Sequence, residues 1–390
     1  MTATKKLLLF LAAVFLIVVG VILKLVLSGR EKVTILCPPD AAELFRELAD
    51  SYQSENEVQI DIEELDAATY GDSVVERLSE KHPADLVVFT QSTEPPSDAA
   101  FACLRDLSTL PELSDTTLKL EEGEKLPVLP LCGDVPVVFY NRDLFASDQL
   151  VPPETGNSFA LLCMHFQNRD RCALGIALEQ GMKRPDLSLL ADSFLVNTGG
   201  VSANSLLSFF RSLENTGVFT QEYAADRDRL LSAFQNGDCA MMMGQWSDFP
   251  RFEQLNLTFE YGAFLLPGDF PATSGVLIPS VSVSVSTGAG EAAKRFVSYL
   301  LSEAGQELIC SKCGALSVRK TSPSGGAEAQ YIYQSILAIG VKPSVLSALP
   351  KEKRSFVLAE LCRVADKEFV DPAQLQSILS LNRNLKGDKP

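Results

Sequence analysis

One tryptophan and two histidines in 390 residues are the scarcest features of this chain, and each scarcity removes a class of chemistry. With only His82 and His165, and no G-x-S-x-G segment, there is little base capacity for a serine or cysteine nucleophile. Zinc asks for three or four ligands, and Cys310-Ser-Lys-Cys313 has no histidine near it in sequence. No catalytic set, metal site or cofactor is therefore expected. A carboxylate pair of glycosidase type stays open, because 50 Asp and Glu offer many pairs and a sequence carries no distances. Basic residues are also short: 34 Lys and Arg against those 50 acids leave a formal charge of −16. Such a chain lacks the basic footprint that nucleic-acid phosphates need. Repeats and low-complexity blocks are missing too, which excludes a solenoid or a disordered chain.

What is present starts with an apolar N-terminus. Lys5 and Lys6 precede an uncharged run from Leu7 to Leu23, then Lys24 and Leu25-Val-Leu-Ser-Gly29-Arg30. The run exceeds the 7–15 apolar residues usual in a cleavable signal, and Leu27-Ser-Gly29 is a poor cleavage site. Its length suits one transmembrane helix, with Lys24 reaching the far interface and the basic end kept in the cytoplasm. Residues 1–30 are expected to be a signal anchor, with a cleaved signal peptide as the alternative. Either reading puts the rest of the chain outside the cytoplasm. Once the four basic residues of that segment are set aside, the remainder carries −20, a surface that stays soluble and mildly favours a cationic ligand.

Nine cysteines make an odd count, so at least one is unpaired within the chain. Cys310 with Cys313 and Cys163 with Cys172 are the pairs nearest in sequence, and disulfides are permitted outside the cytoplasm.

The rest alternates strand and helix signals. Val33–Cys37, Val58–Ile62 and Asp85–Thr90 read as strands, with helices around Leu44–Tyr52 and Tyr70–Leu78 between them. Asp40-Ala-Ala-Glu43 reads as a variant capping box, with Asp40 as N-cap. Val135–Tyr140 is another buried strand; helices follow to about Tyr223, and Asp226–Phe234 feeds a strand ending at Trp246. Val281-Ser-Val-Ser-Val285 alternates as a strand, and 322–385 is mostly helical. Such alternation predicts βαβ units and a mostly parallel sheet in an α/β fold of about two domains. Gly288-Ala-Gly290-Glu-Ala-Ala293 matches a dinucleotide fingerprint, but the strand before it alternates serine with valine instead of running apolar, so a turn and helix start is the better account.

An ordered series of segments carries a resemblance. It includes Val33-Thr-Ile-Leu, Pro83-Ala-Asp-Leu-Val-Val88, Leu104-Arg-Asp-Leu107, Pro136-Val-Val-Phe-Tyr-Asn-Arg-Asp-Leu-Phe145 and Pro152-Pro-Glu-Thr155. It continues through Phe234-Gln-Asn-Gly-Asp-Cys-Ala-Met241, Gly244-Gln-Trp246, Glu291-Ala-Ala-Lys-Arg-Phe296 and Gly314-Ala-Leu-Ser-Val318. Together these resemble the extracellular solute-binding proteins of ABC importers, in the sugar-binding, maltose-binding-protein-like family. The resemblance implies a two-lobe periplasmic-binding-protein-like fold whose discontinuous lobes are joined by hinge strands. Lobe one would be 33–134 plus 266–314, and lobe two 135–265 plus 315–390. It implies a non-enzymatic, monomeric, membrane-anchored protein. Such a protein would capture a small-molecule solute, a sugar first, and deliver it to the transmembrane subunits of an ABC permease. A polyamine or other cationic solute, or a receptor role for a membrane sensor, are the alternatives. Trp246 would stack on the ligand, with Gln245, Asp248, Asp134 and Asp40 offering polar contacts. Thr90, Gln91 and Ser92 would line lobe one, and Tyr140 and Asn141 would hold the hinge. The chain departs from the family at Cys37-Pro-Pro-Asp40 and at Gly156-Asn-Ser-Phe159, and it offers one tryptophan where family sugar sites stack ligand on several aromatic faces.

Overall fold

The strand and helix signals after residue 30 fold in the order in which they occur. The computed structural model describes residues 31–169, 172–177, 185–198, 202–220, 227–321 and 325–380. β1 (Glu31–Cys37) leads through helix α1 (Pro39–Glu55) to β2 (Val58–Glu64). α1 buries Ala41, Leu44, Phe45, Leu48 and Tyr52, the spacing that lays one helical face on a sheet. β1 and β2 pair in parallel, Glu31 opposite Val58 and Cys37 opposite Glu64, as a helical crossover requires. Helix α2 (Tyr70–Leu78) returns the chain to β3 (Leu86–Thr90) on the other side of β1. Asp40 does not cap α1. The N-cap is Pro38 and the helix starts two residues earlier than expected, at Pro39, because proline's fixed φ and missing N–H suit the first helical position.

After a short helix α3 (Asp98–Phe101), β4 (Leu129–Asp134) and β5 (Pro136–Asn141) follow with only Val135 between them, yet join different sheets. The second sheet grows from α4 (Arg142–Ser147), α5 (Gly156–Gln167), β6 (Cys172–Gly175), α6 (Pro185–Val196), α7 (Ala203–Asn215) and α8 (Arg227–Gln235). It is completed by β7 (Cys239–Gln245), α9 (Phe249–Gln254) and β8 (Tyr261–Phe264), in the order β6-β7-β5-β8. The chain then crosses back as β9 (Gly275–Val285), followed by α10 (Glu291–Leu300), α11 (Glu303–Cys313) and β10 (Leu316–Ser317). The last elements are α12 (Ala327–Ile339), β11 (Val341–Pro343), α13 (Lys351–Ala365) and α14 (Pro372–Ser380). The first sheet runs β10-β4-β9-β3-β1-β2, with β11 also on β9.

Two sheets with their own helices make two lobes, each assembled from separated stretches of chain. The terminal segment divides differently from the expected boundary at 315. β10 and β11 add to the first sheet, while α13 and α14 pack on α7 beside the second. The Gly288–Gly290 segment is a turn into α10, with Gly290 as its N-cap. An apolar cluster holding Val33, Phe45, Val283 and Phe296 continues through Val135 and Phe139 to Trp246 and Phe252, so one packed core spans the crossing. The expected anchor at 1–30 lies outside the described residues. Among the described residues no helix is long and apolar enough to cross a membrane.

Candidate ligand-binding site

A cavity of about 740 Å³ lies between the lobes. That volume is ordinary for a small-molecule site, where about 300–1,000 Å³ is usual. Phe89, Thr90, Gln91 and Ser282 line it from the first lobe, and Leu195 and Arg354 from the second. Register explains the first group. Ser282 on β9 is the partner of Phe89 on β3 and of Pro130 on β4, so the cavity reaches the middle of the first sheet. Three carboxylates (Glu94, Glu121, Glu124) and three cations (Lys125, Lys342, Arg354) stand on its wall. Lys342 Nζ meets Glu121 Oε1 at 2.7 Å. The wall thus carries no excess of either sign.

Of the residues singled out from the sequence, Thr90 and Gln91 line this cavity. Asp40 and Ser92 adjoin it through Thr90. Thr90 Oγ1 donates to Asp40 Oδ2 at 2.9 Å and Ser92 Oγ donates to the same oxygen at 2.7 Å. A carboxylate in the first turn of α1 therefore orients two hydroxyls from the loop after β3. With their protons given to Asp40, the two hydroxyl oxygens, 2.9 Å apart, keep acceptor capacity.

Asp134, Gln245 and Asp248 form a second cluster, where β7 ends against the crossing. Asp134 is 9% exposed, and burial raises its pKa above the ordinary carboxylate value. The Ser247 hydroxyl and backbone N–H, the latter at 3.1 Å, donate to it and oppose that rise. Asp248 accepts from the Gln245 backbone N–H at 2.8 Å and pairs with Arg227. The Gln245 side chain in turn accepts from the Asp248 backbone, a reciprocal cap on the 3₁₀ turn Trp246–Asp248. Arg227 also meets buried Asp186, 3.3 Å from its Oδ1. These polar groups spend their hydrogen bonds on one another.

Trp246, expected to stack on the ligand, is set apart from this cavity. It is 8% exposed and outside the cavity lining. Its backbone N–H donates to Val135 O at 2.8 Å, which docks the turn on the crossing strand. The indole meets Phe249 and Tyr333 edge-on, with centroids 5.3 and 6.2 Å away. Tyr140 and Asn141 stand at the far end of β5, within lobe two. Tyr140 packs on Phe145 at 4.4 Å, and Asn141 Oδ1 accepts from Leu144 N–H at 3.0 Å as the N-cap of α4.

Sequence reasoning missed Ser282, Glu94 and Arg354. Ser282 had a signal, since the valine–serine alternation of β9 marks one polar face. Arg354 had none, because a single arginine in a helical tail does not disclose which lobe it faces.

Residues 47–332 match the family of bacterial extracellular solute-binding proteins. The chain belongs to that family. No curated protein matches it by sequence. Its fold is similar to a family 1 extracellular solute-binding protein from Bifidobacterium longum subsp. infantis, with a TM-score of 0.69, 16% identity, and 92% and 100% of the two chains covered. The sugar-binding protein MalE from Xanthomonas citri gives 0.64 at 15% identity, covering 91% of this chain and 97% of its own. The cyclic alpha-maltosyl-1,6-maltose binding protein of Arthrobacter globiformis gives 0.58 at 16% identity, covering 92% and 100%. At these identities the likeness is one of fold.

Proposed function

We propose that this extracytoplasmic solute-binding protein captures a sugar or similar small polar solute between its lobes and delivers it to an ABC permease. It would act as a monomer tethered to the outer face of the cell membrane by residues 1–30. The observation that carries this reading is the cavity lined from both lobes, since a ligand touching both favours their closure by its differential contacts. The binding specificities of the Xanthomonas and Arthrobacter proteins support a saccharide. So does the wall chemistry, where hydroxyl, amide and paired charged groups suit a neutral polyhydroxy ligand. Three acids against three bases give a polyamine no net attraction. Thr90, Gln91 and Ser282 would contact the ligand, with Asp40 and Ser92 holding Thr90 in place. Asp134, Gln245, Trp246 and Asp248 would set the geometry of the crossing.

The test is a thermal-shift and calorimetric screen of oligosaccharides, with spermidine and putrescine beside them. A ligand at about 100 times its dissociation constant adds about 2.7 kcal/mol of stability. Thr90→Val, which removes one hydroxyl, should weaken the best saccharide about tenfold, or about 1.4 kcal/mol, with little change in unliganded stability. A clear shift with a polyamine and none with any saccharide would refute the assignment.

A further inference from the structure

The solute-binding reading leaves the cysteines without a role, and two of them are brought face to face in lobe two. Cys172 opens β6 and Cys239 opens β7, and the two are direct partners in the parallel ladder. Their Sγ atoms stand 2.8 Å apart, inside the contact distance of two non-bonded sulfurs. Both side chains are buried in one apolar cluster, 9% and 0% exposed. Cys163, the partner nearest to Cys172 in sequence, packs in the other cluster. Adjacent strands lie about 4.8 Å apart, within the roughly 4.4–6.8 Å that a disulfide tolerates between its Cα atoms.

Location supplies the second half of the argument. The family is extracellular, and disulfides form and persist outside the cytoplasm. We propose that Cys172 and Cys239 are joined by a disulfide that staples β6 to β7 across α6, α7 and α8. This rests on the family's location and on the strand register, and it is independent of the ligand's identity.

The bond has to form before the strands close. The adjoining Cys172 thiol and burial both push the Cys239 thiol far above its ordinary value, and only a thiolate attacks. While the pair is still solvated, the thiolate of Cys172 or Cys239 attacks a disulfide of an oxidising partner, such as a thiol–disulfide oxidoreductase or oxidised glutathione. One partner thiol leaves and a mixed disulfide remains. The other cysteine's thiolate then attacks the protein-side sulfur and expels the second partner thiol. Two protein S–H bonds are lost and one S–S bond forms, and the oxidant's disulfide is reduced to two thiols. Afterwards the bond is shielded in the core.

The test uses the full chain exported to an oxidising compartment, blocked with iodoacetamide in denaturant without reductant, and mapped by mass spectrometry. The expected product joins the peptides of Cys172 and Cys239, two hydrogens lighter than their sum. Reductant in denaturant should then release two further alkylation sites, at those positions. Alkylation of both cysteines before reduction would overturn the proposal, as would a Cys163–Cys172 linkage. Cys172→Ser and Cys239→Ser should each lower the melting temperature by at least about 5 °C, and the double variant should fall no further. If the variants fail to fold, the peptide map of the natural chain still decides.

Discussion

Replacing Trp246 by alanine separates a packing role from a ligand-stacking one. The indole is 92% buried by its 8% exposure and contacts Phe249 and Tyr333, which come from α9 and α12. An aromatic of this kind buries about 150–250 Å², worth about 4–6 kcal/mol at roughly 25 cal/mol per Å². Unfolded chains already bury part of that surface, so the lower end is the better guide. Measured losses for such truncations are about 3–5 kcal/mol. Against a total of about 5–15 kcal/mol this is a large fraction, so the variant should show a much lower urea midpoint. Trp246→Phe should recover most of the loss. Because it is the only tryptophan, fluorescence of the natural protein reports this one site. Its emission should be blue-shifted and shielded from acrylamide, and a saturating saccharide should leave it so. A Trp246→Ala protein with an unchanged urea midpoint and no saccharide affinity would refute this reasoning and make the indole a ligand platform.

The remaining expectations concern glycines and buried acids. A Cβ on Gly133 would stand 2.5 Å from the carbonyl oxygen of Ile278, a backbone atom that cannot swing away. Gly133→Ala should therefore cost about 1–3 kcal/mol or more in urea unfolding. Gly71, in the first turn of α2, has nothing within 4 Å of an added Cβ, so Gly71→Ala should stabilise by about 0.4–1 kcal/mol in the same assay. Burial pushes the carboxyls of Asp186 and Asp192 up to about 6. Each binds its proton more tightly folded than unfolded, where about 3.9 is normal, so stability should fall as pH rises from about 4 to 6. The loss is up to about 3 kcal/mol per group. Asp192→Asn should remove its share of that slope, and an unchanged pH profile in the variant would contradict the assignment.

How much could be read in advance depended on how local the signal was. Val33–Cys37 with Leu44–Tyr52, and Val58–Ile62, were legible because periodicity within one element records which face is buried. β10 and β11, two and three residues long, carry no such period, so their membership of the first sheet was invisible. Thr90 and Gln91 were legible as the end of a parallel strand, where α/β sheets bind ligands. For Trp246, the position at a strand end was readable while its neighbours were not. Phe249 follows three residues later, but Tyr333 arrives from α12, almost ninety positions away. Ring against ring is tertiary information, and a single sequence does not state it.

The crossing also sets a schedule. β9 inserts between β3 and β4, so the first sheet cannot close until residue 275 has appeared, although β3 ended at residue 90. The strands of the second sheet, β5 to β8, are all present by residue 264. In a chain made N-terminus first, the sheet that begins earlier is therefore the one that closes later. At about 5–20 residues per second, the gap of roughly 180 residues leaves β3 without its antiparallel neighbour for about 10–40 s. During that interval the edge of Leu86–Thr90 that pairs with β9 stands open, a row of backbone N–H and C=O groups without ladder partners.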